Sequence, residues 1–86
     1  MKAKKDFLLR NVCEEDILVP VGEESQHFNG LIRLNSTGVW LWKQLEEELT
    51  EEELVQRMCD HYAGLDKDTA ARDLKEFLDT VKPALA

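Results

Sequence analysis

The apolar residues of the first third of the chain fall in short runs that are typical of β-strands. Phe7–Val12 and Asp16–Val21 are two such runs, and the polar residues between them predict the turn of a β-hairpin. Residues 30–34 (GLIRL) predict a third strand after a polar loop. Pro20 has no N–H to donate to a sheet ladder, so we expect it at the end of a strand or at an unpaired position.

From Asn35 onward the apolar positions repeat with the period of an α-helix. The pattern predicts three helices, over about residues 36–48, 51–63 and 67–82. Asn35 or Ser36 can cap the first helix, and Thr50 and Glu53 have the spacing of a capping box that begins the second. Strands followed by helices predict one α+β domain over residues 1–86, with the helices packed on one face of a small antiparallel sheet.

The first predicted helix contains both tryptophans of the chain. Trp40 and Trp42 are two residues apart, which is about 200° around a helix axis, so they cannot face the same way. Trp42 shares a stripe with other apolar residues and is expected in the core. Trp40 is expected at the edge of the core or on a contact surface.

The third predicted strand has few of the features that protect the edge of a sheet. A three-stranded meander has two edges, each with unpaired backbone N–H and C=O groups. Arg33 is the only charged residue of this strand, which contains no proline. Two interpretations stay open: an extended peptide is added here as a further strand, or a helix or loop of the chain covers the edge.

The composition narrows the classes of function. The 86 residues include 11 basic and 18 acidic side chains, for a formal net charge of −7, and phosphate binding needs excess positive charge. We therefore expect no nucleic-acid partner, and no apolar run is long enough to span a membrane. Two cysteines are too few for a disulfide framework, so a cytoplasmic location is expected. A chain this short leaves little room for an enclosed active site, which argues against an enzyme.

No group of side chains has the spacing of a metal or catalytic site. Cys59 and His61 point in different directions on a predicted helix, and Cys13 and His27 are isolated in the sequence. The four glycines are widely separated, so there is no phosphate-binding loop. We expect neither a metal ion nor another cofactor.

Six of the twelve acidic residues in the segment 36–86 lie between Glu46 and Glu53, where the first two helices meet. Acidic residues are favourable at a helix N-terminus, so a solvated surface is the favoured interpretation. A docking site for a partner enzyme is the alternative.

The outward face of the third helix decides whether a DNA-binding module is plausible. It carries three positive and three negative groups: Arg72, Lys75 and Lys82 with Asp73, Glu76 and Asp79. This balance gives no positive stripe that could follow the phosphates of DNA.

Residues 28–42 (FNGLIRLNSTGVWLW) resemble the PqqD family, the small proteins that escort precursor peptides in the biosynthesis of ribosomally made, modified peptides. The most specific part is the pattern L-N-x-T-G-x-x-x-W, here Leu34–Trp42. The resemblance extends from FLLRNV at residues 7–12 to DTAARDLKEFL at residues 68–78. It implies a winged-helix-like fold, a three-stranded antiparallel sheet followed by a three-helix bundle.

The resemblance also implies a function. Proteins of this family bind the leader segment of a precursor peptide and present it to a modifying enzyme, commonly a radical S-adenosylmethionine enzyme. The leader adds to the third strand and lies against the third helix. Carried over to this chain, the peptide-binding residues are Asn29, Gly30, Leu31, Ile32, Arg33 and Leu34 on the strand, with Ala71, Leu74, Lys75 and Leu78 on the helix.

The function expected is that of a non-enzymatic peptide chaperone. Two alternatives remain, a winged-helix DNA-binding regulator and a structural or docking subunit of a maturation enzyme. The charge balance of the third helix argues against the first of these, and the acidic segment 46–53 is the docking site that the second would use.

Overall fold

The computed structural model describes residues 1–27 and 30–86 of the chain. The strands are β1 (Phe7–Val12), β2 (Glu15–Pro20) and β3 (Ile32–Leu34). The helices are α1 (Glu24–His27), α2 (Ser36–Gln44), α3 (Glu51–His61) and α4 (Lys67–Val81), and a 3₁₀ turn follows at Lys82–Ala84. The predicted fold class, an antiparallel three-stranded sheet followed by helices, is confirmed.

The three strands form one antiparallel sheet in the order β1-β2-β3. β1 pairs with β2 along its whole length, and Pro20 ends this ladder opposite Phe7, as predicted. β3 pairs with the other side of β2, with Ile17 opposite Arg33. β1 and β3 are therefore the two edges of the sheet.

A two-residue turn joins β1 to β2. Cys13 and Glu14 occupy it with φ angles of 51° and 65°. Positive φ at both central residues is typical of a type I′ turn, whose twist matches that of the paired strands. Because the turn needs only these two residues, β2 begins at Glu15, one residue before the predicted start.

Side-chain caps determine where the helices begin. Gly38 N–H donates to Asn35 Oδ1 at 2.7 Å, which caps α2. The predicted capping box begins α3, since Glu53 N–H donates to Thr50 Oγ1 at 3.1 Å and Thr50 N–H donates to Glu53 Oε1 at 3.0 Å. Each cap satisfies backbone donors that the helix itself leaves unpaired.

α2 ends at Gln44, four residues before the predicted end at Glu48. Leu45 N–H donates to the carbonyl oxygens of both Leu41 and Trp42, which tightens the last turn of the helix. Three consecutive glutamates follow, and negative charge at a helix C-terminus opposes the helix dipole.

The region before β3 also differs from the sequence-based expectation. Residues 24–27 form the single turn of α1 where the pattern predicts a loop. β3 begins at Ile32, two residues later than predicted, and Gly30 has a φ of 142°, outside the range of a strand.

The core lies between one face of the sheet and the three longer helices. Phe7, Leu18 and Ile32 project from the sheet into it. Trp42 is 7% exposed within this core, which confirms its predicted position, and Trp40 is half-buried. The remaining buried members come from the helices and their connections: Leu41, Leu45, Leu49, Leu54, Met58, Ala70, Leu74, Phe77, Val81 and Ala84.

Backbone hydrogen bonds tie the residues before β1 to those after α4. Lys4 N–H donates to the carbonyl oxygen of Ala84 at 2.8 Å, and Ala86 N–H donates to that of Lys2 at the same distance. Ala3 N–H donates to the carbonyl oxygen of Leu45, at the end of α2. The first residues therefore have defined positions beside the core. No helix within the described ranges is long and apolar enough to cross a membrane.

Candidate functional site

The register of the sheet shows which backbone groups of β3 face outward. The residues that flank a two-residue hairpin turn form a hydrogen-bonded pair, so Val12 and Glu15 bond to each other. Bonded and non-bonded pairs alternate, so Ile17 also bonds toward β1. Arg33 lies opposite Ile17 and therefore directs its N–H and C=O away from β2, toward the open edge.

A groove of about 300 Å³ runs beside this edge, between β3, the start of α2 and α4. Leu41 and Phe77 are 0% and 7% exposed and form its apolar floor. Asn35, Thr37 and Thr80 add polar groups to its walls. We call this cavity the β3 groove.

Gly38 allows α2 to begin close to the end of β3. A Cβ atom at this position would lie 3.2 Å from Asn35 Oδ1 and 3.3 Å from Leu34 Cβ, closer than most side chains tolerate. Because Gly38 has no side chain, Asn35 can form its capping bond while the space of the groove stays open.

The walls of the β3 groove have opposite charges. Arg33 supplies a cation on the strand side, and Asp73 and Glu76 supply two carboxylates on α4. Arg33 Nε lies 3.8 Å from Glu15 Oε2, but both side chains are largely exposed, at 78% and 56%. Exposed pairs of this kind contribute about 0–1 kcal/mol, so Arg33 remains available to a ligand.

The predicted strand residues that the structure describes lie in β3 or directly before it, and they differ in their exposure to solvent. Leu31 is 58% exposed and Arg33 is exposed, while Ile32 is only 6% exposed and belongs to the core. Leu34 is half-buried and lines the groove. Gly30 is exposed, and Asn29 lies outside the described residues.

The flank of α4 that lies beside β3 is not the flank that the family resemblance implies. Asp73, Phe77 and Thr80 line the groove. Ala71, Lys75 and Leu78 each precede one of these residues by two positions, about 200° around the helix axis, and do not line it. Leu74 lies between the two flanks and is 2% exposed, so it supports the helix from within the core.

Sequence reasoning did not single out Asp73, Glu76 or Phe77 as site residues. The apolar stripe of α4 shows which residues enter the core, but it does not show which of its two flanks lies beside the sheet. Only the position of β3 decides which flank borders the groove. Gly38 is the residue that could have indicated this site, because a glycine in the first turn of a helix indicates that another segment approaches the helix closely.

Other candidate residues have structural roles. The ring of Trp40 stacks on His61 with centroids 4.5 Å apart, and Tyr62 meets both rings edge-on. Cys59 packs against the core, and Cys13 is exposed in the hairpin turn. Among the described residues, no three metal-binding side chains converge.

Half of the acidic residues between Glu46 and Glu53 have partners within the chain. Glu47 pairs with Arg57, and Glu48 pairs with the N-terminal amine. Glu53 belongs to the capping box of α3. These contacts fit a solvated surface that organises the junction of two helices.

Comparison with known proteins identifies relatives of this fold. The chain resembles the structure titled "TbiB1 in Complex with the TbiA(beta) Leader Peptide", with 28% sequence identity and a TM-score of 0.72, over 99% of this chain and 94% of that one. No curated protein matches the chain significantly. The family described as Coenzyme PQQ synthesis protein D (PqqD) matches residues 17–82, which is most of the chain. The chain therefore belongs to the PqqD family.

Proposed function

We propose that this chain is a non-enzymatic peptide chaperone. It binds the leader segment of a ribosomally made precursor peptide by strand addition to β3. It then presents the peptide to a modifying enzyme, for which a radical S-adenosylmethionine enzyme is the class that family resemblance favours. The observation that carries this proposal is the outward-facing backbone of Arg33 beside the β3 groove.

Strand addition uses two features that meet at this edge. The N–H and C=O of Arg33 can pair with the backbone of an extended peptide of any sequence, and this pairing supplies register and affinity. The β3 groove can then receive alternate side chains of the peptide, which supplies specificity. The bound leader peptide in the related TbiB1 structure supports a peptide as the ligand.

The charges of the groove suggest which leader side chains it accepts. Phe77 and Leu41 offer an apolar contact, and Asp73 and Glu76 favour a basic side chain beside it. The same two carboxylates repel phosphate, which argues against the DNA-binding alternative. We propose that Asp73, Glu76 and Phe77 form the helix side of the binding site.

The direct test is a titration of the ¹⁵N-labelled full chain with the leader segment of the precursor peptide encoded beside its gene. We expect amide shifts at Leu31–Leu34 and along Asp73–Thr80. Shifts confined to residues 46–53, with β3 unchanged, would instead support the acidic docking subunit and contradict strand addition.

A proline at Arg33 tests the backbone bond itself. Arg33→Pro removes an outward N–H and leaves the ladder to β2 intact, since edge positions with a solvent-facing N–H tolerate proline. The reference is Arg33→Ala, which loses the same side chain but keeps the N–H. Relative to it, Arg33→Pro should bind the leader about tenfold more weakly, because about tenfold corresponds to the loss of one hydrogen bond. Isothermal titration calorimetry measures this difference.

The opposite edge offers a matched control. Asn11 is exposed on β1, and by the same alternation its N–H faces outward. Asn11→Pro should leave leader binding unchanged. If Arg33→Pro and Arg33→Ala bind the leader equally well in folded protein, the leader does not pair with β3.

A further inference from the structure

A second groove lies at the other edge of the sheet, between β1, the residues before it and the end of α2. Its volume is about 400 Å³. Phe7 and Trp42 form an apolar floor and are 3% and 7% exposed, with the half-buried Leu9 beside them. By the alternation of the β1–β2 ladder, the N–H and C=O of Leu9 face this open edge.

Lysines surround this groove. Lys2, Lys4, Lys5 and Lys43 line it, against a single carboxylate from Glu46. Four of the 11 basic residues of the chain therefore converge on one cavity, although the net charge of the chain is −7. We call this cavity the lysine groove.

Most of these lysines have no internal partner. Lys4 Nζ lies 3.1 Å from Glu24 Oε1. Within the described part of the chain, Lys2, Lys5 and Lys43 form no ion pair and are exposed. Three ammonium groups are thus available to a ligand at the rim of an apolar floor.

Backbone contacts hold these lysines in position. The backbone of Lys2 accepts from Ala86, and that of Lys4 donates to Ala84, both at 2.8 Å. Lys43 lies in the last turn of α2. Because the backbone is already fixed, a ligand orders only the lysine side chains when it binds, which lowers the entropic cost of association.

We propose that the lysine groove binds an acidic, extended segment of a second protein. Apolar side chains of the segment contact Phe7, Leu9 and Trp42, and its carboxylates contact the lysines. An apolar centre with a polar rim is typical of protein–protein contacts, and positive charge selects an acidic partner. This site is separate from β3 and does not depend on leader binding.

A synthetic peptide in which Glu and Leu alternate is the probe for this site. Added to the ¹⁵N-labelled full chain, it should shift the amides of Lys2–Leu9 and the indole N–H of Trp42, and leave Leu31–Leu34 unchanged. The same peptide with Lys in place of Glu should not bind. Binding should weaken severalfold between low and high salt, because screening reduces contacts between exposed charges.

Charge reversal locates the site. The double variant Lys5→Glu with Lys43→Glu should bind the acidic peptide about tenfold more weakly, because attraction at two exposed positions becomes repulsion. The matched control Lys67→Glu with Lys82→Glu makes the same change in net charge on exposed residues outside the groove, and should bind like the unmodified chain.

Three results would overturn the proposal. One is an equal loss of binding in both double variants, which would indicate a net-charge effect. Another is binding of phosphatidylserine vesicles, but not of the acidic peptide, through Lys5 and Lys43, which would assign the groove to a membrane surface. The third is self-association in analytical ultracentrifugation that Lys5→Glu with Lys43→Glu abolishes, which would assign the groove to a second copy of this chain.

Discussion

The two edges of this small sheet carry grooves of similar volume and opposite charge. The β3 groove is about 300 Å³ and has two carboxylates on its helix wall. The lysine groove at β1 is about 400 Å³ and has four lysines around an apolar floor. The net charge of the whole chain, −7, does not indicate which charges line either groove. A ligand responds to the charges within a Debye length, about 8–10 Å at physiological salt, so the two grooves favour ligands of opposite charge.

The difference in charge arises from the elements that flank each edge. α4 places Asp73 and Glu76 beside β3, whereas the residues before β1 place Lys2, Lys4 and Lys5 beside the end of α2. One core supports both grooves, because Phe77 and Trp42 each have one side in the core and the other in a groove. Two separate grooves therefore share one small core.

The largest effects are expected from the two aromatic residues that form the groove floors. Phe77→Ala and Trp42→Ala should each lower the free energy of unfolding by about 3–5 kcal/mol, since both side chains are 7% exposed and leave cavities. Urea unfolding followed by circular dichroism measures this loss.

Milder substitutions at the same residues test whether the two edges bind their ligands independently. Phe77→Leu should weaken leader binding alone, and Trp42→Phe should weaken binding of the acidic peptide alone, while each protein stays folded. If either variant weakens both ligands equally, the grooves communicate through the core and are not independent sites.

Sequence periodicity predicts much of the fold but only part of the candidate site. The change from strand-like runs to a helical period at Asn35, the capping box of Thr50 and the burial of Trp42 all depend on neighbours in the sequence. The flank of α4 that borders β3 depends on how the helix packs on the sheet. The lysine groove joins Lys2 and Lys5 to Lys43 through backbone contacts that no local pattern indicates.

The turn between β1 and β2 offers an intermediate effect that is confined to one edge. Cys13 and Glu14 both have positive φ, which costs about 1–2 kcal/mol for an ordinary residue and much less for asparagine or glycine. Replacing the pair by Asn-Gly should stabilise the protein by about 1 kcal/mol, after the entropic cost of glycine in the unfolded chain. Thermal unfolding measures the gain.

The Asn-Gly variant should also slow hydrogen exchange more in the β1–β2 hairpin than beside β3. The amides of β1 and β2 that pair in the hairpin should exchange more slowly, while α4 should be unaffected apart from the global gain. A loss of stability would show that the turn is not strained, and Cys13→Ser alone controls for the removal of the thiol.

The smallest effect concerns the start of α4, which forms the wall of the β3 groove. Thr69 N–H donates to Asp66 Oδ1 at 2.8 Å, and this backbone hydrogen bond holds the pKa of Asp66 below its ordinary value of 3.8. A carboxylate with a lowered pKa stabilises the folded state above its unfolded pKa, and this contribution is lost as the pH falls through the folded value. The first turn of α4 should therefore loosen below about pH 4.

Asp66→Asn keeps the capping oxygen and removes the titration, so the unfolding midpoint should fall less between pH 6 and pH 3 than in the unmodified chain. Glu53, whose pKa is lowered by its hydrogen bond with the backbone of Thr50, provides the control at the start of α3. Glu53→Gln should reduce the acid sensitivity of α3 amides and leave those of α4 unchanged. An identical pH profile for Asp66→Asn and the unmodified chain would mean that this cap does not couple to folding.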